Sequence, residues 1–316
     1  DWSPYASFSI MNPLLTLVSS GLGYLGGVIL LLMQLVLILK PAWFGLSSES
    51  DLPFRLAFLT VALWWIGFSL ITWSRLRPRH AARKLPEGQS YVRVGFKQLW
   101  HTLKEMKSFP ETLRFLLSYF LYNDGIQTVI AVSATFAAAP IIRGGLEIET
   151  GTLSMIILFI QFAAFFGALL WGRLAGKVGA KTSIIISLVI WSLVVIYAFV
   201  GLQGENRITE FWILGFFIAL VMGGSQAISR SLFSQLIPKG KEAEFYSFYE
   251  VSERGTSWIG PLIFGLVNQL TGSLRPAILS LIFFFIITAV SSSEHPWPKR
   301  KARMCCCSWV NCIRAD

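Results

Sequence analysis

The chain has 316 residues, 54% hydrophobic and 14% charged, with a formal net charge of +10. A soluble globular domain carries about 25% charged residues, and here the charges gather between long apolar runs, which argues against a water-soluble enzyme or a nucleic-acid-binding module. The runs are also continuous, as over 157–170, whereas a membrane β-barrel needs alternating segments of about 10 residues.

In chain order, eight runs approach the roughly 20 apolar residues that a bilayer-spanning helix needs. They predict spans near Leu14–Leu39, Phe54–Trp73, Leu113–Ala139, Leu153–Trp171, Ser183–Gly201, Phe211–Ser229, Phe245–Leu270 and Ala277–Val290. Lipid offers no hydrogen bonds to the backbone, so each run is expected to be helical. The expected fold class is an all-α membrane protein.

The connections alternate in basic residues. The first, 40–54, sets one Lys beside Glu49 and Asp51. The second, 75–111, is long and holds nine Lys or Arg residues, from Arg75 to Lys107. Arg143 meets Glu147 and Glu149 in the third, and Arg207 meets Glu205 and Glu210 in the fifth. The fourth carries Arg173, Lys177 and Lys181; the sixth carries Arg230, Lys239 and Lys241; the tail carries Lys299, Arg300, Lys301 and Arg303. The positive-inside rule places the basic connections and the tail in the cytoplasm.

Two spans, a long basic loop and six spans suit the latter part of a protein with two six-helix halves, an organisation common in secondary transporters. The expected division is 1–74 as the end of an N-terminal half, 75–111 as an inter-half loop, 112–290 as a six-helix half and 291–316 as a tail. About four helices are expected upstream.

The connection from Gly172 through Arg173, Gly176, Lys177 and Gly179 to Lys181 resembles the G-x-L-a-D-r-x-G-r-k loop of the major facilitator superfamily. In that superfamily it joins helices two and three and recurs between eight and nine, where the present numbering puts it. Gly176 stands at the motif's acidic position, so the carboxylate that would pair with the loop arginine is missing. Three further blocks, Tyr122–Val129, Gly223–Ser231 and Glu244–Val251, with Gly23-Tyr24-Leu25-Gly26-Gly27 and Trp64-Trp65, resemble the vacuole-effluxer, autophagy-related family of that superfamily. The resemblance covers roughly Ser19 to Ile287. It implies a major-facilitator-type bundle, helices five to twelve of twelve, and amino-acid efflux. It also implies that helices seven and ten line a central cavity.

Charged residues deep in a bilayer face the bundle interior or a wet cavity. Asp124 lies about 18 Å along its helix from Thr112, at 1.5 Å per residue. Asn123 adjoins it and Gln127 follows one turn later; Ser225, Gln226 and Ser229 cluster on the expected helix ten. These six are the candidates to contact substrate or a coupling proton, the alternative being interhelical hydrogen bonds that only fix packing. Glu250 and Arg254, spaced i, i+4, fit an intrahelical ion pair or, with Arg230 and the loop motif, a gate. Gly260-Pro261 predicts a bend, and Gly23 and Gly27 a close helix contact.

Around 91–106 lysines alternate with Phe96 and Trp100, a pattern for a short linker helix or one lying in the membrane interface. After Thr288 the sequence departs from the family; Cys305, Cys306 and Cys307 beside basic residues suit palmitoylation, though a shifted reading frame explains the tail better. His80, His101 and His295 lie outside the spans, so no intramembrane metal site or cofactor is expected, and no nucleotide-binding glycine loop is present. The expected partners are the lipid bilayer, a small polar solute and protons. A non-transporting scaffold or inactive fragment is the alternative.

Overall fold

The computed structural model describes residues 13–47, 50–75, 90–237, 241–255 and 257–294. They form eleven α-helices and two short 3-10 turns, with no strand among the described residues. In order these are α1 (Pro13–Leu39), α2 (Leu52–Arg75), α3 (Tyr91–Met106), α4 (Pro110–Ala138), α5 (Thr150–Val178), α6 (Ala180–Val200), α7 (Arg207–Leu236), α8 (Glu242–Arg254), α9 (Ile259–Thr271), α10 (Leu274–Ser280) and α11 (Ile282–Glu294).

Among the described residues, six stretches are long and apolar enough to cross a membrane: Leu22–Leu39, Leu52–Arg75, Thr150–Val178, Ala180–Val200, Arg207–Leu236 and Leu274–Ser291. α4 has the length, 29 residues or about 43 Å, but polar residues through its middle leave it less apolar than these six. The surface confirms the solvent. Phe58, Trp73 and Leu270 are 77%, 81% and 85% exposed, while Asp124 is 0% exposed. Apolar groups outside and a carboxylate inside is the arrangement that lipid selects. The chain is a multi-pass integral membrane protein.

Three expectations change. The Gly172–Lys181 connection is almost wholly helical: α5 runs to Val178, α6 starts at Ala180, and Gly179 alone lies between them. Its φ of +88° is in the region that side chains with a Cβ avoid, which explains the glycine at this point of the motif. The span expected over Phe245–Leu270 is two helices, broken between Arg254 and Ile259. That break is one turn ahead of Gly260-Pro261; Pro261 instead occupies the first turn of α9, where its missing N–H leaves no helical bond unmade. The last span begins earlier, at Leu274, passes a turn at Leu281, and continues through Ser291 and its neighbours to Glu294. The expected cysteine-rich tail lies outside the described residues, as does the segment 76–89 of the inter-half loop.

Successive helices run back and forth, so the connections gather at two ends. At one end, Thr112 Oγ1 at the start of α4 donates to the Leu236 carbonyl closing α7 at 2.9 Å. α3 packs there against α4 and α8. Arg173, Lys177, Arg230, Lys241 and Arg254 are at this end, which we call the basic end. At the far end, Arg275 in the first turn of α10 reaches three carbonyls at and just beyond the end of α6: Phe199 at 3.1 Å, Gly201 at 2.7 Å and Leu202 at 2.8 Å. These are the carbonyls a helix C-terminus leaves without internal partners. Arg207 Nε donates to the Leu146 carbonyl at 2.9 Å, and Leu202 N–H donates to Glu210 Oε2 at 2.9 Å.

α5 and α7 make the most extensive contact in the bundle. Small residues set their separation: a Cβ built on Gly167 would lie 2.7 Å from the Leu220 carbonyl oxygen. The buried Trp171 ring donates from Nε1 to that same carbonyl at 2.7 Å. α1 packs against α5 and α7, whereas α2 packs mainly on α1. Gly27 meets Gln161 of α5, but Gly23 has nothing within 4 Å of its Cβ position. The expected two-glycine face is therefore one close contact.

Candidate functional site

The interior polar groups converge where α4 passes the break between α8 and α9. α4 places Asn123 and Asp124 inward, 1% and 0% exposed. Asn123 Nδ2 donates to the Glu253 carbonyl in the last turn of α8 at 3.4 Å. Asp124 Oδ2 accepts from the Gly260 N–H in the first turn of α9 at 2.7 Å. Two adjacent residues of one helix thus hold the two sides of a broken neighbour. A carboxylate against a helix N-terminus satisfies an orphan N–H and complements the helix dipole; here it comes from another helix.

Gly260 makes the approach possible. A Cβ at this position would fall within the Thr128 side chain. Thr128 in turn donates from Oγ1 to the Asp124 carbonyl at 2.7 Å. One oxygen on each of the two α4 residues, Asn123 Oδ1 and Asp124 Oδ1, is buried without a hydrogen-bond partner. Buried acceptors of this kind are uncommon in folded proteins, where water, an ion or a neighbouring donor usually completes them.

The serines of α7 are engaged differently. Ser229 Oγ and Tyr122 Oη are 2.5 Å apart, and Ser229 Oγ donates to the Ser225 carbonyl at 2.5 Å. Since Ser229 gives its hydrogen to Ser225, Tyr122 is the donor to Ser229. Ser225 Oγ is turned to the Met222 carbonyl, 3.5 Å away. Both serine hydroxyls therefore bond within the bundle. Gln127 and Gln226 are half-buried, as is Glu253. The six expected contact residues divide accordingly: Asn123 and Asp124 hold the break, Ser229 joins α7 to α4 through Tyr122, Ser225 bonds within α7, and the two glutamines are half-buried.

Beneath the break, towards the basic end, is a pile of aromatic rings. Tyr119 stacks on Tyr249 with centroids 4.4 Å apart and meets Tyr122 edge-on at 5.4 Å. Tyr249 stacks on Phe233 at 5.0 Å. Aromatic stacking of this kind adds about 0.5–1.5 kcal/mol per pair beyond burial, which fixes α8 against α4 and α7, while α9 packs on α10 and α4 and takes its polar tie from Asp124.

At the basic end, Glu250 has two partners. Its Oε1 lies 3.3 Å from Arg230 on α7, and its Oε2 lies 3.7 Å from Arg254 one turn along α8. The i, i+4 pair expected from the sequence is present, and Arg230 makes it interhelical. Arg173, Gly176 and Lys177 of the loop motif lie exposed on the last turns of α5, and Lys181 is half-buried on α6.

Tyr122, Glu253 and Gly260 were not among the candidates derived from the sequence. Glu253 carried a signal, an acid in a predicted span. Gly260 carried one too, but as a bend; its role as the donor to Asp124 needs a contact between residues 136 positions apart, which local spacing does not encode.

The sequence profile of the family described as "Vacuole effluxer Atg22 like" matches residues 12–301. The chain is similar to the uncharacterized MFS-type transporter YxiO of Bacillus subtilis, with 32% identity over 270 residues, 85% of this chain and 60% of that one. It is similar to autophagy-related protein 22-2 of Aspergillus clavatus, with 31% identity over 280 residues, 83% of this chain and 44% of that one. Autophagy-related protein 22-1 of Penicillium rubens shares 30% over 286 residues, 84% and 46% of the two chains. The chain spans about half the length of these curated relatives.

Proposed function

This chain belongs to the vacuole effluxer Atg22-like family, and from that premise we propose that it is the C-terminal part of a secondary transporter exporting a small polar solute, an amino acid, by alternating access. On this reading the basic end faces the cytoplasm, and the host membrane is a bacterial inner membrane or a vacuolar one. Residues 1–74 are the end of the N-terminal half and 112–290 are the C-terminal half.

The observation that carries the reading is the Asn123–Asp124 bridge across the α8–α9 break. Ion and substrate sites of many transporters lie at discontinuous helices near the bilayer midplane. Asp124 is the coupling group. Ionised, it makes a charge-assisted bond to the Gly260 N–H; protonated, it keeps only a neutral bond, about half as strong. Proton binding therefore loosens α9 from α4 without breaking either helix. Gln127 and Gln226 present amides to the solute, with Glu253 opposite the ammonium group of an amino acid. Arg230, Glu250 and Arg254 close the cytoplasmic side.

Asp124→Asn tests this in the full-length protein reconstituted into proteoliposomes. The asparagine carbonyl still accepts from Gly260, so the joint survives, but no proton is carried. Amino-acid counterflow should persist while accumulation driven by a pH gradient disappears. Gradient-driven accumulation at the wild-type level would overturn the assignment of Asp124.

A further inference from the structure

We propose that α3 is a docking surface for anionic lipid headgroups, seated on the membrane at the basic end. Its orientation is set by the bundle. Thr102 and Met106 are 1% and 0% exposed. Thr102 Oγ1 donates to Glu244 of α8 at 3.3 Å, and Glu105 is ion-paired with Lys241. These contacts turn one face of α3 inward and fix what the other face presents.

That other face is apolar and basic side by side. Phe96, Trp100, Leu103 and Leu99 are all exposed. At 100° per residue they share an arc of about 100°. Lys97 and Lys104 occupy the adjoining arc, both exposed, and the Lys104 ammonium lies over the Trp100 ring, 5.6 Å from its centroid. The sole acid of the helix is Glu105, which Lys241 already holds, so no acid offsets the lysines of the outward face.

Position selects the occupant. α3 ends at Met106 and α4 begins at Pro110, so α3 sits at the level where a spanning helix enters the bilayer. A helix lying in that plane buries an aromatic stripe at the acyl boundary and extends lysines to the phosphates. A water-soluble partner would need acidic groups beside a tryptophan at headgroup depth; an anionic leaflet supplies negative charge and apolar depth together. The grip of α3 on α8 carries the contact to the helix bearing Glu250 and Glu253.

The test uses full-length protein with Cys305, Cys306, Cys307 and Cys312 replaced by serine and a nitroxide attached through Phe96→Cys. Collision with oxygen, which partitions into lipid, is compared with collision with a water-soluble nickel chelate. The comparison is made in phosphatidylcholine vesicles and in vesicles containing about 30% phosphatidylglycerol. The expected result is a shift from nickel to oxygen access on adding the anionic lipid. Lys97→Glu with Lys104→Glu should reverse it, since each lysine near an anionic surface contributes about fivefold to the equilibrium. Three results would overturn the proposal: unchanged nickel access in both lipids, shielding from both reagents (a protein surface as the occupant), or oxygen access that ignores lipid charge.

Discussion

The far end and the basic end of the bundle are both held by charged side chains, but in opposite ways. At the far end the partners are backbone groups. Arg275 binds three carbonyls, Arg207 two, and Glu210 an N–H. Leu202 is held at both its N–H and its carbonyl while sitting at a φ of +57°, a conformation that persists only where the surroundings enforce it. At the basic end the partners are other side chains. Glu250, Arg230 and Arg254 are 41%, 47% and 84% exposed in their ion pairs. A backbone carbonyl in a packed loop cannot rotate away, whereas an exposed carboxylate exchanges one arginine for another at little cost. The far end is built as one body, and the basic end as a place where contacts are traded.

Removing Arg275 should break the rigid end. Arg275→Ala leaves three carbonyls without their charged donor, and we expect a loss of about 3 kcal/mol, read as a lowered melting temperature in detergent. Arg275→Lys should recover only part, because a single ammonium cannot match the guanidinium fork. Full stability in Arg275→Ala would mean that the loop after α6 holds itself.

Next in size is the joint between the two ends. Gly260→Ala drives a methyl group into Thr128 and should destabilise by about 2 kcal/mol. Thr128→Ala in the same protein should restore part of that loss, since it removes the hydroxyl. If Gly260→Ala melts like wild type, α9 has room to move away from α4, and the close contact does not constrain it.

Smallest is the basic end. Glu250→Ala should change stability by less than about 0.5 kcal/mol. Transport by the full-length protein should change more than folding does. Exchanging the charges, Glu250→Arg with Arg254→Glu, distinguishes a pair from a network. An isolated i, i+4 pair would be rescued by the exchange. In this structure the exchange places two guanidinium groups together across α7 and α8, so rescue of transport would show that Arg230 is a bystander.

Much of this was legible in the sequence. Long apolar runs announce helices whatever their packing, and Asp124 declared itself by depth: a carboxylate about 18 Å into a helix has to face inward. Helix breaks were less legible. Gly260-Pro261 predicts a bend, yet the chain breaks one turn earlier, between Arg254 and Ile259, and Asp124 accepts from Gly260 in the first turn of the helix that follows. The turn at Leu281 follows a lone Ser280 in an otherwise apolar stretch, too slight a local signal to place a break. Ser229 stands out as a hydroxyl in a span; that Tyr122 of another helix bonds to it is a tertiary contact, which local spacing does not encode.

Gly179 has a consequence for how the protein is made. A single residue reaches about 3.5 Å of extended chain, and it is all that separates α5 from α6. The two helices have no slack with which to enter a membrane one at a time. They partition into lipid as one pair, anchored at the basic tip that carries Arg173, Lys177 and Lys181. The orientation of this pair is therefore settled in one step, and a residue with a Cβ at Gly179, where φ is +88°, strains the turn on which that step depends.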